Sequence, residues 1–175
     1  MVRKKRPLAI RDLVLMGLFS AILFGVQLAF AFLPNVELVS LLIILYTRHL
    51  KYRALPVIYV FVVLEGLVFG FGIWWFIYLY IWAVLFAMTM MMQKNQSLLG
   101  WAILSGGFGL CFGALGAVSY IFLSGPQAAF AWFVAGIPFD IAHGIGNFLA
   151  CLVLFKPLDY LLARLEHQRI EEHFY

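Results

Sequence analysis

The chain is written as long apolar runs separated by short polar breaks, and this spacing constrains its fold more than any other feature. A membrane-crossing helix needs about 20 mostly apolar residues, within a range of roughly 17 to 25. Six runs stand out: 13–33, 36–47, 54–71, 74–92, 98–123 and 128–155. Pro34-Asn35 closes the first, a basic loop at 48–53 the second, and Gly70-Phe71-Gly72 the third. Gln93 to Ser97 and Ser124 to Gln127 close the next two. The runs are continuous, whereas barrel strands would alternate over about ten residues. The expected fold is all-α and integral to the membrane: one domain over 1–175, with six transmembrane helices. A charged, amphipathic cytoplasmic tail over 156–175 is expected to lie along the membrane surface.

Composition agrees. Hydrophobic residues make up 65% of the 175 and charged residues 11%, with a mean hydropathy of +1.01. A soluble domain is nearer half apolar and a quarter charged, so this chain has too few charges to cover a water-facing surface. The formal charge of +4 does not point to nucleic acid, because the basic residues sit at segment ends and form no patch or stripe. Cys111 and Cys151 lie inside apolar runs and read as small buried residues, not as a disulfide framework.

The basic segments set a direction. Arg3 to Arg6, the 48–53 cluster, Lys94 and the tail with Lys156, Arg164 and Arg169 alternate with 34–37, 70–75 and 124–127, which carry no positive charge. With six spans every basic segment falls on one side, and that side is the cytoplasm, for both termini. A five-span chain, with 36–47 only re-entrant, would part the 48–53 cluster from the N-terminus. The opening Met1 to Pro7 imitates a signal peptide, but the apolar stretch behind it reaches about Leu33, too long for a signal core. We expect a retained first helix.

Run 36–47 is short. As a helix it reaches only about 18 Å, so it must tilt, begin with a non-helical entry, or stop short of crossing. Short or interrupted segments point to transport sites, and Pro34 to Glu37 could cover a pocket from outside.

Three groups of residues are candidates for function. Gly17, Ala21, Gly25 and Ala29 recur every fourth position, a small-residue stripe that lets another helix approach. It serves either packing within the chain or docking on a partner. Asn35, Glu37, Ser40, Glu65, Asp140, His143 and Asn147 form the polar set of the outer half, and the last three share one helix face at i, i+3, i+7. Ionisable groups at membrane depth face a cavity or each other, so a ligand site, an internal pair that fixes packing and a proton path all remain open. Trp74, Trp75, Tyr78, Trp82, Tyr120 and Trp132 crowd the same side, as an interfacial belt or as pocket walls.

Several chemistries lack their motifs. There is no Gly-rich phosphate loop with its Lys-Ser/Thr and no His-Glu-x-x-His. Asp140 and His143 have no nucleophile motif beside them, and one Asp-x-x-His is no specific metal site. The chain is expected to be no enzyme and to hold no metal or resident cofactor.

Over its whole length the chain resembles the S components, the substrate-binding membrane subunits of energy-coupling factor (ECF) transporters. The stretches that carry the likeness are Leu13 to Gly25, Leu33 to Ser40 and Gly136 to His143. The resemblance implies a prokaryotic plasma-membrane protein that captures a vitamin or related micronutrient from outside with high affinity. It then docks on a shared transmembrane coupling subunit bearing two cytoplasmic ATPases, topples, and releases the ligand inside. The family's Ala-x-x-x-Ala docking motif falls on Gly17 and Ala21, with Gly25 one turn on; glycine at the first position leaves open whether Ala21 and Gly25 are the true pair. The family's closing loop falls on 34–40, and its usual ligand contacts favour Tyr78, Trp82, Tyr120, Asp140, His143 and Asn147. Among ligands the broad apolar surface leans to a cobalamin type, with riboflavin, thiamine and folate as further choices. The alternative is a stand-alone proton-coupled carrier using Glu65, Asp140 and His143.

Overall fold

The computed structural model describes residues 10–32 and 37–171. Seven helices account for nearly all of them, and no strand occurs among the described residues. They are α1 (Ile10–Phe30), α2 (Val39–Leu50), α3 (Ala54–Phe69), α4 (Ile73–Met91), α5 (Leu98–Leu110), α6 (Phe112–Ser124) and α7 (Pro126–Glu171). A 3-10 turn, Lys51–Arg53, joins α2 to α3. Five stretches are long and apolar enough to cross a membrane: Ile10–Phe30, Val39–Phe69, Ile73–Met91, Leu98–Ser124 and Pro126–Leu165. This is the build of a multi-pass membrane protein.

Cross-helix contacts give each segment its direction. Asp12 and Arg53 pair at one end, Ser20 Oγ lies 2.9 Å from Val57 O, and Phe24 meets Phe69, so α1 and α3 run parallel. Trp75 Nε1 donates to Val62 O and Tyr59 to Leu79 O, so α4 runs back against α3. Gln93, just past the end of α4, donates to Thr47 near the end of α2, which makes α2 parallel to α4. Within Val39–Phe69 the chain therefore reverses, at Lys51, whose φ of 54° and ψ of −129° end α2. Gly70 and Gly125 make the turns at the other end, with φ of 85° and 86°, a conformation open to glycine because it lacks Cβ.

α2 is the axis of the bundle. Every residue from Val39 to Thr47 is buried, and α1, α3, α4, α5 and α7 all pack on it. A 12-residue helix is too short to present its own face to lipid, and here it is ringed by longer ones.

Two segments differ from their sequence boundaries. Run 98–123 is two helices, because Cys111 (φ −94°, ψ 0°) interrupts the helical path. Run 128–155 continues without a break through Pro157 to Glu171, so residues 156–171 extend α7. The glycines of α5 let α7 come close: a Cβ on Gly109 would stand 3.0 Å from Gly144 Cα, and one on Gly106 3.0 Å from Gly144 O. Small residues permit this backbone approach between helices.

At the end carrying the basic residues, Arg48 ties three elements. Its Nε lies 3.1 Å from Asp159 Oδ1, its Nη1 donates to Asn95 O, and its guanidinium sits 5.5 Å from the Trp101 ring centre. His49 also reaches Asp159, at 2.9 Å.

Candidate ligand site

The break at Cys111 creates the first part of the site. A helix start leaves its first N–H groups without intrahelical acceptors. Gly113, in the first turn of α6, donates instead to Asp140 of α7, at 2.9 Å to Oδ1 and 3.1 Å to Oδ2. Side-chain atoms of Asp140 occupy the place a Cβ on residue 113 would take, so a larger residue there would push the Asp140 carboxylate aside. The negative carboxylate also lies at the positive end of the α6 dipole.

Glu37 does the same for α2. Its Oε2 accepts the Ser40 N–H at 2.8 Å, and its Oε1 lies 3.2 Å from His143 Nε2. Burial acts to raise the Glu37 carboxyl, but the His143 hydrogen bond and charge and the Ser40 N–H outweigh it. The net pKa is below the ordinary 4.5, so Glu37 is a carboxylate at neutral pH. Two helix starts, α2 and α6, thus converge on one face of α7, each with its own carboxylate.

A cavity of about 490 Å³ opens between these groups. Gln27 and Phe30 of α1, Ala31 just past its end, Glu37 ahead of α2, Tyr78 and Trp82 of α4, Phe112 and Gly113 of α6, and Trp132, Phe139, Asp140 and His143 of α7 line it, with Ala135 and Gly136. Its aromatic side is held edge to face: Tyr78 and Trp82 at 5.3 Å and 80°, Phe112 and His143 at 5.0 Å and 62°.

Of the residues singled out in the sequence, Glu37, Tyr78, Trp82, Asp140 and His143 meet on this cavity. Glu65 does not: it is buried on α3, and its Oε1 has no partner among the described residues. Tyr120 stacks at 4.4 Å behind Trp132 and so backs the wall without lining it. Asn147 is 1% exposed, one turn beyond His143, and neither end of its amide has a partner among the described residues. Asn35 lies outside the described residues. Gly17, Ala21, Gly25 and Ala29 are exposed on α1, and nothing stands within 4 Å of a Cβ on Gly17 or Gly25. Among the described residues, therefore, no other helix packs on the stripe.

Sequence reasoning missed Gln27, Phe30, Phe112, Gly113 and Phe139. Their helices are apolar on every side, so no periodicity marks which face meets a cavity. Among the described residues no group of three or more His, Cys, Asp or Glu is placed to hold a metal ion. Cys111 and Cys151 are both free thiols.

Fold and site together define a multi-pass helical membrane protein with an internal aromatic and acidic cavity. No family model, curated protein or solved structure matches the chain.

Proposed function

We propose that the chain is the substrate-capture subunit of an ECF-type importer for a vitamin or related micronutrient. It crosses the prokaryotic plasma membrane six times with both termini in the cytoplasm. It is not itself an enzyme, and it docks on a shared coupling subunit driven by two ATPases. One observation carries this reading. α1 turns an uncovered small-residue stripe outward at Gly17, Ala21 and Gly25, and the same helix lines the cavity at Gln27 and Phe30. A partner helix seated on the stripe touches the element that walls the ligand.

The alternating helix directions support six crossings, with α2 and α3 as separate limbs. The cavity is formed where α2 and α6 begin, away from the Arg48–Asp159 end, which supports an outward-facing site. Its size falls in the range of drug-sized ligand pockets, roughly 300 to 1,000 Å³. That favours riboflavin, thiamine or folate over a cobalamin-type ligand, whose ring system is larger. The proton-carrier alternative has less support, because Glu65 stands off the cavity that Asp140 and His143 share.

The test is co-expression with a coupling subunit and its two ATPases, affinity purification on this chain, and mass spectrometry of the small molecules retained. A stoichiometric vitamin together with the coupling subunit is expected. Absence of both would sink the proposal.

A further inference from the structure

We propose that the cavity takes a flat heteroaromatic cation, its charge held at the Glu37–Asp140 edge and its ring between the aromatic walls. This inference rests on the capture reading above and adds to it the chemistry of the ligand.

Charge is the first argument. Glu37 and Asp140 line the cavity, and among the described residues no lysine or arginine does. The sequence has none over 12–47, 54–93 or 95–155, so no basic side chain of the helical interior answers these acids. The titratable groups facing the cavity are Glu37, Asp140, His143 and Tyr78, with Glu65 buried behind on α3. Even with His143 protonated, one carboxylate remains in excess. The hydrogen bonds to Gly113, Ser40 and His143 leave spare lone pairs on the carboxylates, since each oxygen accepts two.

The walls are the second argument. Tyr78, Trp82, Phe112, Trp132 and Phe139 present rings to the space between. Ring faces carry negative potential, and aromatic cages of this kind recognise organic cations with diffuse charge. A strongly hydrated ammonium would lose more water than these rings replace; a planar cation loses little and stacks.

Trp82 fixes the width of this slot. Its ring lines the cavity, and Phe61, Tyr78, Phe108 and Phe112 surround it at 5.3 to 6.2 Å, which sets its orientation.

The experiment uses the purified full-length chain in nanodiscs and four probes: thiamine and N-methylquinolinium as flat cations, riboflavin as a flat neutral ring, folate as a flat anion. Calorimetry or tryptophan quenching gives each affinity. Both cations are expected to bind at least about 30-fold more tightly than riboflavin and folate. Glu37→Gln is expected to narrow that gap about tenfold. Thermal melting of the variant checks that it folds. Tighter binding of riboflavin or folate, failure of both cations to saturate the site, or an unchanged gap in Glu37→Gln overturns the inference. A chain that prefers riboflavin yet joins the coupling subunit fails this inference alone. One that holds the cations but never joins it fails the transport reading alone.

Discussion

Asp140 on α7 accepts the Gly113 N–H with both carboxylate oxygens, so one helix caps the start of another 27 positions earlier in the chain. The same carboxylate lines the cavity. Structure and ligand site are therefore coupled at this residue. Asp140→Ala should lower stability by about 1–3 kcal/mol, the cost of a buried donor left unpaired, and Asp140→Asn, which keeps one acceptor, by less. Melting in detergent measures both; an unchanged midpoint for Asp140→Ala would show that the cap is idle.

Glu37 gives a pH dependence whose sign follows from its lowered pKa. A carboxyl whose folded pKa is depressed adds stability that is fully present above its unfolded value and is lost as pH falls through the folded one. Its ordinary value is 4.5. The melting midpoint should carry a Glu37 contribution that declines as pH falls below about 4.5. Glu37→Gln should remove that decline; an unaltered profile in the variant would assign it to another group.

Where α5 and α7 meet, a Cβ on Gly109 would press on the Gly144 backbone at 3.0 Å, and one on Gly144 would press on Leu110 and the Gly106 carbonyl. Gly109→Val should force the helices apart and cost about 1–3 kcal/mol. It should loosen the cavity too, since Phe112 and Gly113 follow on the same limb. A variant with wild-type melting would mean the helices yield freely at this point.

Ala21 is exposed in the middle of the α1 stripe. Ala21→Trp should leave melting within about 0.5 kcal/mol of wild type, as for surface changes generally; under the proposed capture role it should also leave ligand retention intact while abolishing association with the coupling subunit. Co-purification after co-expression decides it. Persistent association would move the docking surface elsewhere.

Lys51 holds φ 54° and ψ −129°, a region that suits glycine. Strain of this kind costs on the order of 1–3 kcal/mol. Lys51→Gly should raise the melting midpoint, and Lys51→Val should lower it. The opposite order would show that other contacts of Lys51 outweigh the backbone.

The sequence by itself determined that the chain is helical, apolar enough for several membrane crossings, and basic at alternate breaks. Hydropathy is a sum over neighbours along the chain, so it needs no tertiary knowledge. The i, i+3, i+7 spacing likewise put Asp140, His143 and Asn147 on one face before any packing was known. Only the tertiary structure decided what each of them does. Asp140 caps α6, His143 meets Glu37, and Asn147 lies buried a turn beyond the cavity. It alone decided that the shortest helix is the axis of the bundle and that α5 and α6 part at Cys111. It also decided that the α1 stripe faces outward. The reason is that helices meeting lipid on one side and protein on the other are apolar on both. The 3.6-residue signal that marks a buried face in water is absent here, and which face turns inward is settled by packing alone.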